Sequence, residues 1–100
     1  MQSLIKGRSD RLLYRAVELP SRLRCVLVSD AETQKSAAVV AVGVGSAHEP
    51  RSHDGLAHFL EHMLFMGSTS HPDPSGYLNF IGQAGGASNA FTAPTETCYY

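Results

Sequence analysis

The sequence predicts an α+β fold, with a mainly antiparallel sheet packed against helices. Three observations carry that expectation. Two β-rich runs, Tyr14 to Leu19 and Leu23 to Ser29, meet at Pro20-Ser21, the spacing of an antiparallel pair. The stretch "GLAHFLEHMLFM" repeats its apolar residues at a helical period. "SNAFTAPTETCYY" then closes the chain with two strand-like runs around Ala93-Pro94.

The elements follow in order. After the first pair, "DAETQK" reads as a polar turn. "SAAVVAVGVGS" reads as a third, nearly continuous apolar strand, the pattern of a buried central strand. "AHEPRSHD" is a polar loop, with Asp54 placed to cap the following helix. That helix is expected from about Gly55 to Met66, with Gly67 as its terminator. "STSHPDPS" is a loop held by two prolines, and "GYLNFIGQAGG" a short second helix ended by Gly85-Gly86. The last strand needs a turn and a partner. The expectation is therefore a partial domain, residues 1–100 forming the N-terminal portion of something longer.

Composition narrows the classes. With 43% hydrophobic and 17% charged residues and a net charge of -1, nothing points to nucleic acid or a membrane surface as partner. Charge is unevenly placed, since Lys6, Arg8, Arg11, Arg15, Arg22 and Arg24 all precede residue 25. A transit peptide is one reading of that segment. Asp10 and Glu18 interrupt it, and strand-like sequence begins by Tyr14. No apolar stretch approaches the roughly 18 residues of a membrane span. Cys25 and Cys98 are isolated, without CxxC spacing, and are expected to be buried free thiols. The expected compartment is reducing, the cytoplasm, with the mitochondrion as alternative.

The chemistry concentrates in H-F-L-E-H, residues 58–62. On a helix, His58, Glu61 and His62 fall within an arc of about 100°. Apolar residues cover the opposite side, and Phe65 intrudes on the polar stripe. Imidazoles at i and i+4 lie about 6 Å apart at the helix surface, within reach of one Zn²⁺. Glu61 points the same way, where a carboxylate could take a proton from metal-bound water. The pattern is H-x-x-E-H, the inverse of H-E-x-x-H. A satisfied polar stripe is the rival reading. Apolar wrapping weakens it, because buried ionisable groups are costly unless paired or metal-bound. His48, His53 and His71 sit in polar loops and are expected to be solvated.

"GLAHFLEHMLFMGSTSHP", followed by "AGGASNAFTAPTETCYY", resembles the N-terminal catalytic domain of the insulysin–pitrilysin–nardilysin inverzincin family. "HFLEHMLFMGS" and "SNAFT" are most similar to the insulysin branch, and "YRAVELPSRLRCVLVSDAETQKSAAVVAVGVGS" resembles the family's opening strands. The likeness extends from about Ile5 onward, which argues against the transit peptide. It implies that His58 and His62 bind zinc and that Glu61 is the general base. It also implies that Asn89 and Ala90 belong to an edge strand along which peptide substrates lie, with Phe91 lining the adjoining pocket. Such an edge offers free backbone groups for strand addition; without the resemblance, "SNAFT" reads as an ordinary turn and strand.

The family's third zinc ligand is a glutamate on a downstream helix, and no residue here matches it. Glu96 is the one later glutamate, and it falls in a strand segment. The expected function is zinc-dependent endopeptidase, this chain supplying two ligands and the base. The expected partners are peptide substrates, the remainder of the catalytic domain and a C-terminal half. The alternatives are a truncated, non-catalytic relative that binds peptides or a partner, and a subunit of an organellar processing peptidase.

Overall fold

The computed structural model describes residues 5–100. Residues 1–4, the first of the segment weighed as a leader, lie outside that range. The chain divides into two compact units, residues 1–36 and residues 37–100, each described by itself.

The first unit is a hairpin. Strand β1, Leu13–Glu18, pairs antiparallel with β2, Arg24–Ser29, in a register running from Leu13↔Ser29 to Glu18↔Arg24. Arg22 N–H donates to the Leu19 carbonyl at 2.8 Å, and Leu19 N–H to the Leu23 carbonyl at 2.9 Å. Pro20 suits the first corner of this turn because its φ is preset. Arg22 closes the turn in the left-handed region, at φ 66°, as the last residue of a three-residue hairpin loop does. Ahead of β1, Asp10 accepts from the Leu12 N–H and from the Tyr14 hydroxyl, both at 2.9 Å.

The second unit holds a second antiparallel sheet. Its strands are β3, Val40–Val42, β4, Ala90–Thr92, and β5, Thr97–Tyr99, in the order β3-β5-β4. The expected central strand is thus corrected. The "SAAVVAVGVGS" run contributes three residues to an edge, with Val40 and Val42 exposed. Only Val40–Val42 of the run pairs, because a strand of three residues carries too little periodicity to place it in the sheet. The closing strand, expected to lack partners, lies in the centre and pairs on both sides. Thr97 is buried there at 4% exposure, and its hydroxyl donates to the Val44 carbonyl at 2.8 Å.

Helix α1 spans Leu56–Met63 and helix α2 spans Gly76–Gln83. Looser turns carry the chain from α1 to Gly67, which takes φ 98°; the helix proper stops short of the expected Met66. Its cap is also corrected. Gly55 occupies the N-cap with no side-chain bond, and Asp54 plays no part. Glu49, from the loop after a 3-10 turn at Ser46–His48, supplies the acceptors instead. Its two carboxylate oxygens accept from Gly55 N–H and Ala57 N–H, each at 2.7 Å. A carboxylate at a helix N-terminus meets both the unpaired donors and the positive end of the dipole.

Among the described residues no apolar side chain is buried. Phe59, Leu60 and Leu64 of the α1 region are 63%, 54% and 58% exposed, so the apolar wrapping read from the sequence has no cover within these residues. Cys25 and Cys98 are free and half-buried, not fully buried as expected. No helix of the described residues is long and apolar enough to cross a membrane.

Candidate metal and catalytic site

The site forms where α1 lies against β4. One helical turn separates His58 and His62, and their Nε2 atoms converge to 3.0 Å with rings tilted by 50°. Two nitrogens that each lie about 2.0–2.1 Å from one tetrahedral zinc stand about 3.3 Å apart. The donor pair therefore fits a shared zinc to within a few tenths of an ångström. Both histidines are exposed, so a metal held there is reachable from solvent. Among the described residues no cluster of three or more His, Cys, Asp or Glu side chains gathers around a metal position.

Glu61 is the buried member, at 8% exposure. Its Oε2 accepts from the Thr92 hydroxyl at 2.5 Å, which ties α1 to β4. The second oxygen, Oε1, is left for other chemistry. The Tyr99 hydroxyl is held above the ordinary phenol range, first by burial and then by the nearby Glu61 carboxylate.

Asn89, Ala90 and Phe91 lie where an edge strand meets the same groove. Asn89 and Tyr100 exchange both backbone bonds, at 2.6 and 2.8 Å, and Ala93 N–H donates to the Glu96 carbonyl. By antiparallel alternation, the backbone groups of Ala90 and Thr92 then face the unpaired edge. The Asn89 side-chain oxygen accepts from Ala90 N–H at 2.9 Å. Phe91 is 44% exposed. Ala90, Phe91 and Thr92 line one open groove of about 490 Å³ together with His58 and Glu61. Of the sequence-predicted residues, His58, Glu61, Ala90 and Phe91 line this groove, His62 reaches His58 from the next turn, and Asn89 lies outside the lining, next to Ala90.

Two residues of this assembly escaped the sequence reading. Thr92 is 31 residues from Glu61, and only the strand's position makes them neighbours. Glu49 left one usable signal, a carboxylate shortly before a helix start, but a nearer candidate, Asp54, concealed it. His48 was expected to be solvated; it is exposed, and its Nδ1 accepts from Gly45 N–H at 3.2 Å. His53 bonds with its neighbour Ser52.

The chain is similar to known proteins over nearly its whole length. The family model described as Insulinase (Peptidase family M16) matches residues 24–100. Insulin-degrading enzyme-like 1, peroxisomal, from Arabidopsis thaliana is 44% identical over 97 residues, covering 97% of this chain and 10% of that protein. The A-factor-processing enzyme of Saccharomyces cerevisiae is 42% identical over 96 residues, covering 96% of this chain and 9% of that protein. The crystal structure of pitrilysin superimposes with a TM-score of 0.90 at 37% identity, over 98% of this chain and 10% of that one. The chain spans about a tenth of the length of the relatives it matches.

Proposed function

This chain belongs to the insulinase family of peptidases, family M16, and from that premise we propose that it carries the zinc-binding helix and general base of an endopeptidase. The carrying observation is the convergence of the His58 and His62 Nε2 atoms at 3.0 Å beside the buried Glu61. In this reading His58 and His62 hold the zinc. When bound, zinc lowers the pKa of its water toward about 7 and polarises a substrate carbonyl.

Glu61 takes the proton of the attacking water at Oε1 and later delivers it to the leaving amine. The free edge of β4 receives the peptide by strand addition, Ala90 and Thr92 supplying the backbone donors and acceptors. Asn89 Oδ1, now on Ala90 N–H, yields that donor to a substrate carbonyl. Phe91 presents an apolar ring beside the groove.

A two-histidine site binds zinc more weakly than a three-ligand one. The relatives are about ten times longer, which supports a third ligand, the rest of the catalytic domain and a C-terminal half contributed from beyond these 100 residues.

The test is Glu61→Gln in the longest natural chain that carries these residues, assayed on a quenched fluorogenic peptide. Activity falls by about 10²-fold or more, while zinc content stays near that of the parent. Full activity in the variant would remove the general-base role.

A further inference from the structure

We infer that Thr92 is a positioning residue for the general base: its hydroxyl holds one oxygen of Glu61 so that the other meets the attacking water. This rests on the reading of Glu61 as that base. The Thr92 Oγ1 to Glu61 Oε2 distance is 2.5 Å. A free glutamate side chain has three rotatable bonds and loses up to about 2 kcal/mol of rotamer freedom on being ordered. A base that must find its orientation anew at each turnover reacts more slowly, since small misplacements cost large factors in rate.

Thr92 is well built for the task. It is β-branched, so χ1 has few choices, and it is half-buried at the end of β4. Its register partner is Thr97, the most buried residue of the sheet, whose own hydroxyl is bonded to the Val44 carbonyl. The donor therefore stands on backbone anchored at a second hydroxyl. The bond also ties the base on α1 to the strand that would receive the substrate, because the free edge of β4 ends at Thr92. Glu61 is thus oriented by the strand along which its substrate lies.

The experiment compares Thr92→Val and Thr92→Ser in the longest natural chain carrying these residues, loaded with zinc. Valine keeps the shape and removes the donor; serine keeps the donor. With a fluorogenic peptide, Thr92→Val lowers kcat by about 10- to 100-fold, with KM and the zinc dissociation constant within about threefold of the parent. Thr92→Ser restores kcat to within about threefold. An unchanged kcat in Thr92→Val overturns the inference. So does a loss that serine fails to restore, or one accompanied by a comparable loss of zinc affinity, which would mark a staple of the fold. Should Thr92→Val not fold, Thr92→Ala is read by the same criteria. An active Glu61→Gln sinks the base itself; an inactive Glu61→Gln beside an unimpaired Thr92→Val sinks only the positioning role.

Discussion

The ε nitrogens of His58 and His62 face each other across 3.0 Å, one helical turn apart, with their ring centroids 4.7 Å apart. Nothing in helix formation demands this approach, since both residues are exposed and free to point elsewhere. At 3.0 Å the two rings are within hydrogen-bond distance of each other, and the same convergence is what the proposed zinc site requires.

Removing either member should therefore remove the metal rather than the fold. In His58→Ala or His62→Ala, zinc affinity falls by about 100-fold or more, since even outer partners of a zinc ligand are worth 10- to 100-fold. Zinc content by atomic spectroscopy and a thermal melt check this together. Retained zinc in both variants would refute the pair as ligands.

Glu49 is expected to matter for stability in spite of its distance from the motif. Its carboxylate satisfies Gly55 N–H and Ala57 N–H at the start of the helix that bears the histidines. Glu49→Ala should cost about 1–2 kcal/mol, and Glu49→Gln less, because the amide still offers one acceptor. Asp54→Ala should be nearly silent. Chemical denaturation of the three variants separates the two caps, and equal losses at Glu49 and Asp54 would contradict the assignment.

Gly45 tolerates no side chain. A Cβ there would stand 2.0 Å from the Ala93 carbonyl oxygen and 2.8 Å from Glu96 N, all of it backbone. The same crossing carries the bonds from Ser46 N–H to Ala93 O and from Ala47 N–H to Pro94 O. Gly45→Ala is expected to destabilise by about 3 kcal/mol and to displace the β4–β5 turn. Wild-type stability in this variant would mean that the crossing is looser than described.

The hairpin unit has its own pH dependence. The Asp10 carboxyl is held below its ordinary range, first by the Leu12 N–H and then by the Tyr14 hydroxyl and the Lys6 charge. A folded pKa that is depressed contributes stability above the unfolded value, lost as pH falls through the folded one. The Tyr14 phenol is pushed up, first by its bond to Asp10, so its contribution is present below the unfolded value and lost as pH rises through the folded one. An NMR titration of the Asp10 carboxyl carbon should therefore give a low midpoint, and Asp10→Asn should reduce the upward shift of Tyr14, leaving the part due to desolvation. An ordinary Tyr14 titration in the parent would overturn the coupling.

Much of the site was legible because it is local. His58, Glu61 and His62 share a face through the 3.6-residue period alone, and α1 keeps that face. The β1–β2 hairpin was likewise readable from two β-rich runs and Pro20-Ser21 between them. The centre of the second sheet was not legible. Three-residue strands such as Val40–Val42 and Thr97–Tyr99 are too short to carry a period. The apolar run that resembled a core strand became an edge, while the last residues of the chain took the middle.

The order of residues along the chain thus determined a helix, the stripe of two histidines and a glutamate upon it, and a hairpin before it, since each depends on neighbours within a few positions. Only the tertiary arrangement decided that Glu49 caps that helix and that Thr92 grips Glu61. It likewise decided that β4 presents its open edge to the groove. Those relations join residues 6 to 31 apart, and such pairings are chosen by which backbones find partners, a competition that no local pattern records.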